Sequence, residues 1–461
     1  MLSDAQQDLH PTDAGSHRVY VLRVEVREPT LQQVPTMCTS TARMTHLLQA
    51  MVLVSLSAVT ARAQESYPQR TLGAPIAVGA EPLRDIAAVR ELSDGRLLVV
   101  ERGPINAMIK SMMASFARAA GPGGRGGAAD SIANLPESPP ARIVLFDAKL
   151  THMQAISRQA GEDASELQQP LALLGATADT TLLLLIGRSD LLVIGPSGGF
   201  VGSRSIPSGG GALLGAPGVA VDRAGRLLFQ PRVQVSRNTP AGMEVGSPDS
   251  AAIVALDFKT GATIPVAYVR VAGNSAIMEA DASSPGRMKM HMKTAPFPVI
   301  DDWVLMPDGT LAVIRGADLH IDWIAPNGKQ RSTPPIPFAR QAVTDSDKVT
   351  LVNRQHLIDS MPMMPRNMSV VQAEPDSFPR FKPPFSARGA MAASDGTIWL
   401  PSKIISPAAP EGYAVIGPDG RVREIVHLAK GQRLLGFGKG VVYVEVSESR
   451  QVDRVARVPL R

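Results

Sequence analysis

One pattern constrains this chain more than any other: a repeated pair of hairpin turns set between short apolar strands. The first turn of the pair reads Ser93-Asp94-Gly95-Arg96 before Leu97-Leu98-Val99-Val100. It returns as Asp222-Arg223-Ala224-Gly225, as Pro307-Asp308-Gly309 and as Ser394-Asp395-Gly396, each time followed by an apolar run. Weaker copies are Ala178-Asp179-Thr180 and Gly438-Lys439-Gly440. The second turn reads Phe146-Asp147-Ala148-Lys149, Gly195-Pro196-Ser197-Gly198, Asp257-Phe258-Lys259-Thr260-Gly261, Ala325-Pro326-Asn327-Gly328 and Gly417-Pro418-Asp419-Gly420. An Asp-Gly pair between apolar runs signals a hairpin, because glycine takes the positive φ that the turn needs. Two hairpin turns per unit mean four antiparallel strands, which is one blade of a propeller.

Six such units predict an all-β fold, a six-bladed β-propeller. Units of roughly 40–50 residues leave about a third of the chain for insertions. The last unit has three strands of its own before the sequence ends. The apolar segment 71–78 is unassigned and can supply the fourth, pinning the first unit to the last and removing free sheet edges.

The repeat resembles bacterial exported six-bladed propellers of the NHL-like and TolB-like type. The resemblance is carried by Pro296-Phe297-Pro298, Asp301-Asp302-Trp303, Pro307-Asp308-Gly309, Arg315-Gly316 and His320-Ile321-Asp322-Trp323. It implies the fold and export. Activity stays open, since this architecture hosts binders, lyases and lactone hydrolases alike.

Export has its own local signal. Arg43-Met44-Thr45-His46 is a short basic start, and residues 47–59 form an apolar run too short to span a bilayer comfortably. Ala61-Arg62-Ala63 follows with a small-x-small cleavage pattern, which predicts Gln64 as the mature N-terminus. Three segments result: 1–43, an over-extended start or an N-terminal extension; 44–63, a signal peptide; and 64–461, the propeller. The only cysteine, Cys38, precedes the signal. An exported, periplasmic or extracellular chain without disulfides or a mature transmembrane segment must then rest on its core. The net charge of +5 is a mild bias over 461 residues and argues against nucleic acid as the partner.

With the four strands of a blade lettered a to d outward from the centre, the long segments gather at one end of the blades, at the b–c loops and the d–a connections. They are 104–141, 233–250, 272–300 and 338–388. Long loops on a rigid scaffold are the usual home of function. Helical spacing predicts a helix over 105–120, and Thr344 with Asp347 predicts a capping box for a helix over 345–359. Such helices either enclose a pocket or only cover apolar surface.

Five cations stand at the ends of the b strands: Arg102, Arg188, Arg232, Arg315 and Lys403. Together with Asp301 and Asp302 they form the candidate ligand site. A ring of cations would attract an anionic small molecule or protein partner. Alternatively the cations pair with the two carboxylates and the loops.

Asp318, His320 and Asp322 alternate in sequence, so a strand would place them on one face. They are the candidate catalytic and metal-ligating residues, for a divalent metal or for His320 as a general base in a metal-dependent lyase or hydrolase. An inter-blade hydrogen-bond network is the other role open to them. Met288, Met290, His291 and Met292, and Met361, Met363, Met364 and Met368, are thioether-rich. They suit either a cuprous ion or simple gap-filling under loops. Gly195-Pro196-Ser197-Gly198-Gly199 matches a nucleophile-elbow pattern, but it coincides with a c–d turn and lacks the required helix, so it is read as a turn.

Overall fold

The computed structural model describes residues 67–102, 141–156, 170–176, 179–185, 190–207, 218–231, 233–239, 242–280, 288–359, 368–372, 378–385, 388–405, 411–449 and 452–460. The signal segment, Cys38, the helix expected over 105–120, Arg188, Arg232, Met361, Met363 and Met364 lie outside them.

The chain is a β-propeller. Among the described residues, six four-stranded meanders follow one another. The first is Ile86–Glu91, Leu97–Glu101, Arg142–Phe146 and Met153–Ile156. The third is Val219–Val221, Leu227–Phe229, Ser250–Leu256 and Thr263–Arg270, and the fourth is Asp302–Leu305, Leu311–Arg315, His320–Ile324 and Gln330–Ser332. The sixth is built from Gln432–Gly438, Val441–Ser449 and Val452–Pro459, with Ala77–Val78 as its outer strand.

The repeated turn has a clear physical cause. In three copies the aspartate accepts a bond from the backbone N–H two residues on, that of the last residue before the next strand. Asp94 accepts from Arg96 at 3.0 Å, Asp308 from Thr310 at 2.8 Å and Asp395 from Thr397 at 3.1 Å. The glycine between them sits at φ 85°, 87° and 81° respectively. Aspartate closes the turn through its side chain, and glycine alone takes the left-handed backbone without strain.

Among the described residues, six buried clusters hold the meanders, one between each successive pair. Leu98 and Val100 of the first pack with Leu183 and Leu192 of the second. Leu228 and Ile253 of the third pack with Trp303 and Val313 of the fourth. Tyr443 and Val455 of the sixth pack with Val99 and Phe146 of the first, so the series returns on itself. A polar latch reinforces that junction. The Tyr443 hydroxyl donates to Glu91 at 2.8 Å, and Arg457 Nε donates to the same hydroxyl at 2.9 Å. Burial, and then the nearby Glu91 carboxylate, push the tyrosine hydroxyl well above its ordinary range.

The closing strand behaves as its apolar character suggests, in part. Ala77 and Val78 pair antiparallel with Arg457 and Ala456, and Leu83 bridges to Asp453. Thr71 instead belongs to the strand Gln69–Thr71, which pairs parallel with Val422–His427 on the fifth sheet. The N-terminal segment therefore clasps two neighbouring sheets.

A helix does run over Asp345–Asp359, with Thr344 N donating to Asp347 at 2.9 Å and Asp347 N donating back to Thr344 at 3.2 Å. The other described insertions are strands. Val235–Thr239 and Gly242–Ser247 form a hairpin within the third meander. Asn274–Ala280 and Met288–Thr294 form a second hairpin between the third and fourth. Met368–Gln372, from the connection between the fourth and fifth, pairs parallel with the latter strand. Together they make a separate five-stranded sheet.

Candidate functional site

The fourth meander brings its strand ends to one point. Its inner strand opens at Asp302, its second strand closes at Arg315, and its third opens at His320. A tight turn over 316–319 joins the last two, with Leu319 at φ 57°. Asp318 lies in this turn and not in the strand with His320 and Asp322, which corrects the alternation expected of the three. The turn still delivers its carboxylate to the ring: His320 Nδ1 is 2.6 Å from Asp318 Oδ1, and Nε2 is 3.3 Å from Asp322 Oδ1. Leu319, Ile321 and Trp323 are buried in the core.

Arg315 links two carboxylates. It donates to Asp301 through Nη1 at 2.8 Å and to Asp322 through Nε at 2.7 Å. Burial opposes the charge on Arg315, but its bonds to Asp322 and Asp301 outweigh that and raise its pKa. At Asp322, burial acts to raise the carboxyl. The hydrogen bonds from Ser332 and Arg315, with the Arg315 and His320 charges, overcome it and hold the group below the usual carboxylate range.

The two adjacent aspartates at the start of the inner strand are buried. Asp301 also accepts from Arg270 N at 2.9 Å and from Gly316 N at 3.0 Å. Gly316 permits that approach, since a Cβ there would stand 1.9 Å from the Ile300 carbonyl oxygen. Asp302 turns the other way and accepts from Gly389 N and Ala390 N, both at 2.9 Å, at the entry to the fifth meander. One aspartate thus ties the fourth meander to the third, and the other ties it to the fifth.

Beside them opens a cavity of about 420 Å³, lined by Gln230, Asn274, Arg270, Asp301 and Arg388 among others. Arg388 donates to the buried Gln230 side chain, and its Nε lies 3.9 Å from Asp302. Its Nη1 is buried and finds no hydrogen-bond partner among the described residues, and neither does the indole N–H of Trp303. Both groups press on one glycine. A Cβ at Gly218 would stand 2.7 Å from Arg388 Nη1 and 3.1 Å from Trp303 Cζ2, and Gly218 has φ 114°. Burial lowers the Arg388 pKa, against the pull of Asp302 and Asp301. A second cavity, of about 520 Å³, opens on the other side of Asp301, lined by Tyr268, Arg270, Arg315, Asp318 and His320.

The remaining cations lie elsewhere on the same ends. Arg102 is exposed directly after its strand, and its N–H donates to the Asp85 carbonyl. Lys403 sits in a 3₁₀ turn, Ser402–Ile404, 3.7 Å from Glu411. Among the described residues, no three His, Cys, Asp or Glu side chains are grouped to hold a metal ion. Residues 195–199 form a turn, with Gly195 N donating to Gly199 O at 2.8 Å.

Reading by b-strand ends misses Arg388, Gln230, Arg270 and Trp303. A usable signal was present, because polar residues recur just before inner strands: Asp85, then Asp301 with Asp302, then Arg388.

No family model and no curated protein matches the chain. Solved structures do match at low identity. A catalytically inactive virginiamycin B lyase from Staphylococcus aureus with quinupristin is 9% identical over 82% of this chain and 98% of its own, at a TM-score of 0.33. A protein of unknown function from Bacteroides thetaiotaomicron is 8% identical over 85% and 75%, also at 0.33. A nidogen/laminin complex chain is 10% identical over 55% and 81%, at 0.24. The propeller assignment rests on the meanders and their cyclic packing. No described helix is long and apolar enough to cross a membrane.

Proposed function

We propose that this chain is an exported six-bladed propeller that binds an anionic ligand in the cavity beside Arg388. The six meanders are read as the blades, and residues 44–63 as the export signal with cleavage before Gln64. The observation that carries the binding reading is Arg388 Nη1, a buried donor without an acceptor among the described residues, on a side chain that lines the cavity. A buried donor left without an acceptor costs about 1–3 kcal/mol, more when charged. A ligand oxygen bound there relieves that cost. Arg388 supplies a planar fork suited to carboxylate, sulfate or phosphate. Arg270, a second cationic residue, also lines the cavity. Asp301 adds little repulsion, since Arg315 and two backbone N–H groups already engage it.

Binding is better supported than acid–base catalysis. Both ring nitrogens of His320 already face carboxylates.

Thermal melting with acetate, sulfate, phosphate and citrate tests the proposal. A ligand that binds only the folded state raises the melting temperature with concentration. At least one anion should do so for the unaltered protein, and Arg388→Gln should abolish the response. Equal responses in both proteins, or none in the unaltered one, would overturn it.

A further inference from the structure

The inserted sheet has two chemically different faces. Antiparallel pairing places directly opposed residues on one face. Met243 opposes Met278, and Met278 opposes Met290, so three methionines from three adjacent strands form one row. Met292 lies two residues along from Met290 and therefore shares its face. The other face carries charge: Arg237 pairs with Glu244 at 2.5 Å, and His291 with Glu279 at 2.8 Å.

Filling a core gap is the ordinary task of methionine, and here it does not explain the row. None of the six described core clusters includes Met243, Met278, Met290 or Met292. Met243 is 41% exposed, and the other three are half-buried. The thioethers stand on a solvent-reached face of an appended sheet.

Directly opposed residues have Cβ atoms about 4.5–5.5 Å apart. Met278, Met290 and Met292 occupy the corners of a small triangle, with Met243 next in line. Methionine is long and unbranched, so sulfurs from such neighbours can turn toward one point. Neutral, polarizable thioethers favour a soft monovalent cation over zinc, calcium or magnesium. The sequence has 19 methionines and one cysteine, and that cysteine lies before the signal, so soft donors of the propeller are thioethers. Thioethers do not form disulfides, and such a site needs no reducing compartment.

We infer that Met278, Met290 and Met292, with Met243 beside them, form a thioether site for cuprous ion on the inserted sheet. The site is separate from the Arg388 cavity and does not rest on it.

Anaerobic titration of the purified protein with Cu(I), in competition with bicinchoninate, tests the inference. The protein should withdraw one equivalent of Cu(I) from the chelator. Met278→Leu and Met290→Leu should each weaken that uptake at least tenfold, while Met153→Leu, on the first meander, leaves it unchanged. Leucine conserves volume closely enough that the fold should survive. A second measurement needs no variant to bind. Methyl-labelled methionine spectra with Ag(I), a soft stand-in, should show shifts at the Met278 and Met290 signals, assigned from the leucine variants. Failure to draw Cu(I) from the chelator, equal uptake by the leucine variants, or shifts confined to other methionines would each overturn the inference.

Discussion

The six meanders and the inserted sheet are both antiparallel structure from one chain, yet they are held in different ways. Each meander is apolar on both sides and shares a buried cluster with each neighbour. The series ends where it began, at the Tyr443, Glu91 and Arg457 latch. No described residue of the inserted sheet belongs to those clusters. Its outer strand Val235–Thr239 is mostly exposed, with Val235 at 57%. It is assembled from three separate insertions, and its strands pair because the meanders bring their ends together. The difference teaches that stability in this molecule comes from cyclic packing, whereas the insertions are free to carry chemistry that a core would not tolerate.

The sharpest way to break that comparison is to open the cycle. Deleting 71–78 removes the outer strand from the sixth sheet and bares the edge at Val452–Pro459. The whole ring should then melt earlier in one cooperative step, followed by circular dichroism. A truncated protein that melts like the full one would show that the clasp is dispensable.

A smaller but still large effect should follow Asp301→Ala. It leaves Arg315 with one partner fewer and strands the Arg270 and Gly316 N–H groups. Removing one member of a buried pair costs roughly 3–5 kcal/mol. Since Arg315 stays about a quarter exposed, the lower end of that range is expected. Denaturant midpoints measure it, and a loss below about 1 kcal/mol would mean that the site behaves as a surface ion pair.

The smallest effect belongs to the insertions. Bonds from Lys382 and Thr344 hold the Asp347 carboxyl down at about 2. An unfolded aspartate titrates near about 3.9. The folded value is the lower one, so its contribution is complete above about pH 4 and is lost as pH falls toward about 2. Amide exchange in Asp345–Asp359 should therefore quicken across that window while the cluster strands stay protected. Simultaneous loss in both regions would show that helix and ring open as one unit.

These contrasts also separate what could be read along the chain from what could not. The meanders were legible because their determinants are local. An aspartate bonds a backbone N–H two residues away, and a glycine supplies the required φ, so each turn announces itself within four residues. The capping box at Thr344 and Asp347 was legible for the same reason. Arg315 stood out as a cation at a strand end, Asp301 and Asp302 as its carboxylate partners and His320 within an alternating Asp-His-Asp pattern, and the structure brings them to one place. Their partners did not stand out. Arg388 and Gln230 are 158 residues apart. Gly218 matters only because two side chains from other meanders press on it.

By itself the sequence determined the repeated turn, the strand pattern and the polar strand ends, since each depends on neighbours within a few residues. Tertiary structure alone decided that three insertions would join as one sheet, that Met243, Met278 and Met290 would fall in one row, and that Arg388 and Trp303 would share a corner. Those outcomes depend on pairing register and on which strand ends the closed ring sets side by side. Register and adjacency belong to the packed molecule, because no short segment holds both partners of such a contact.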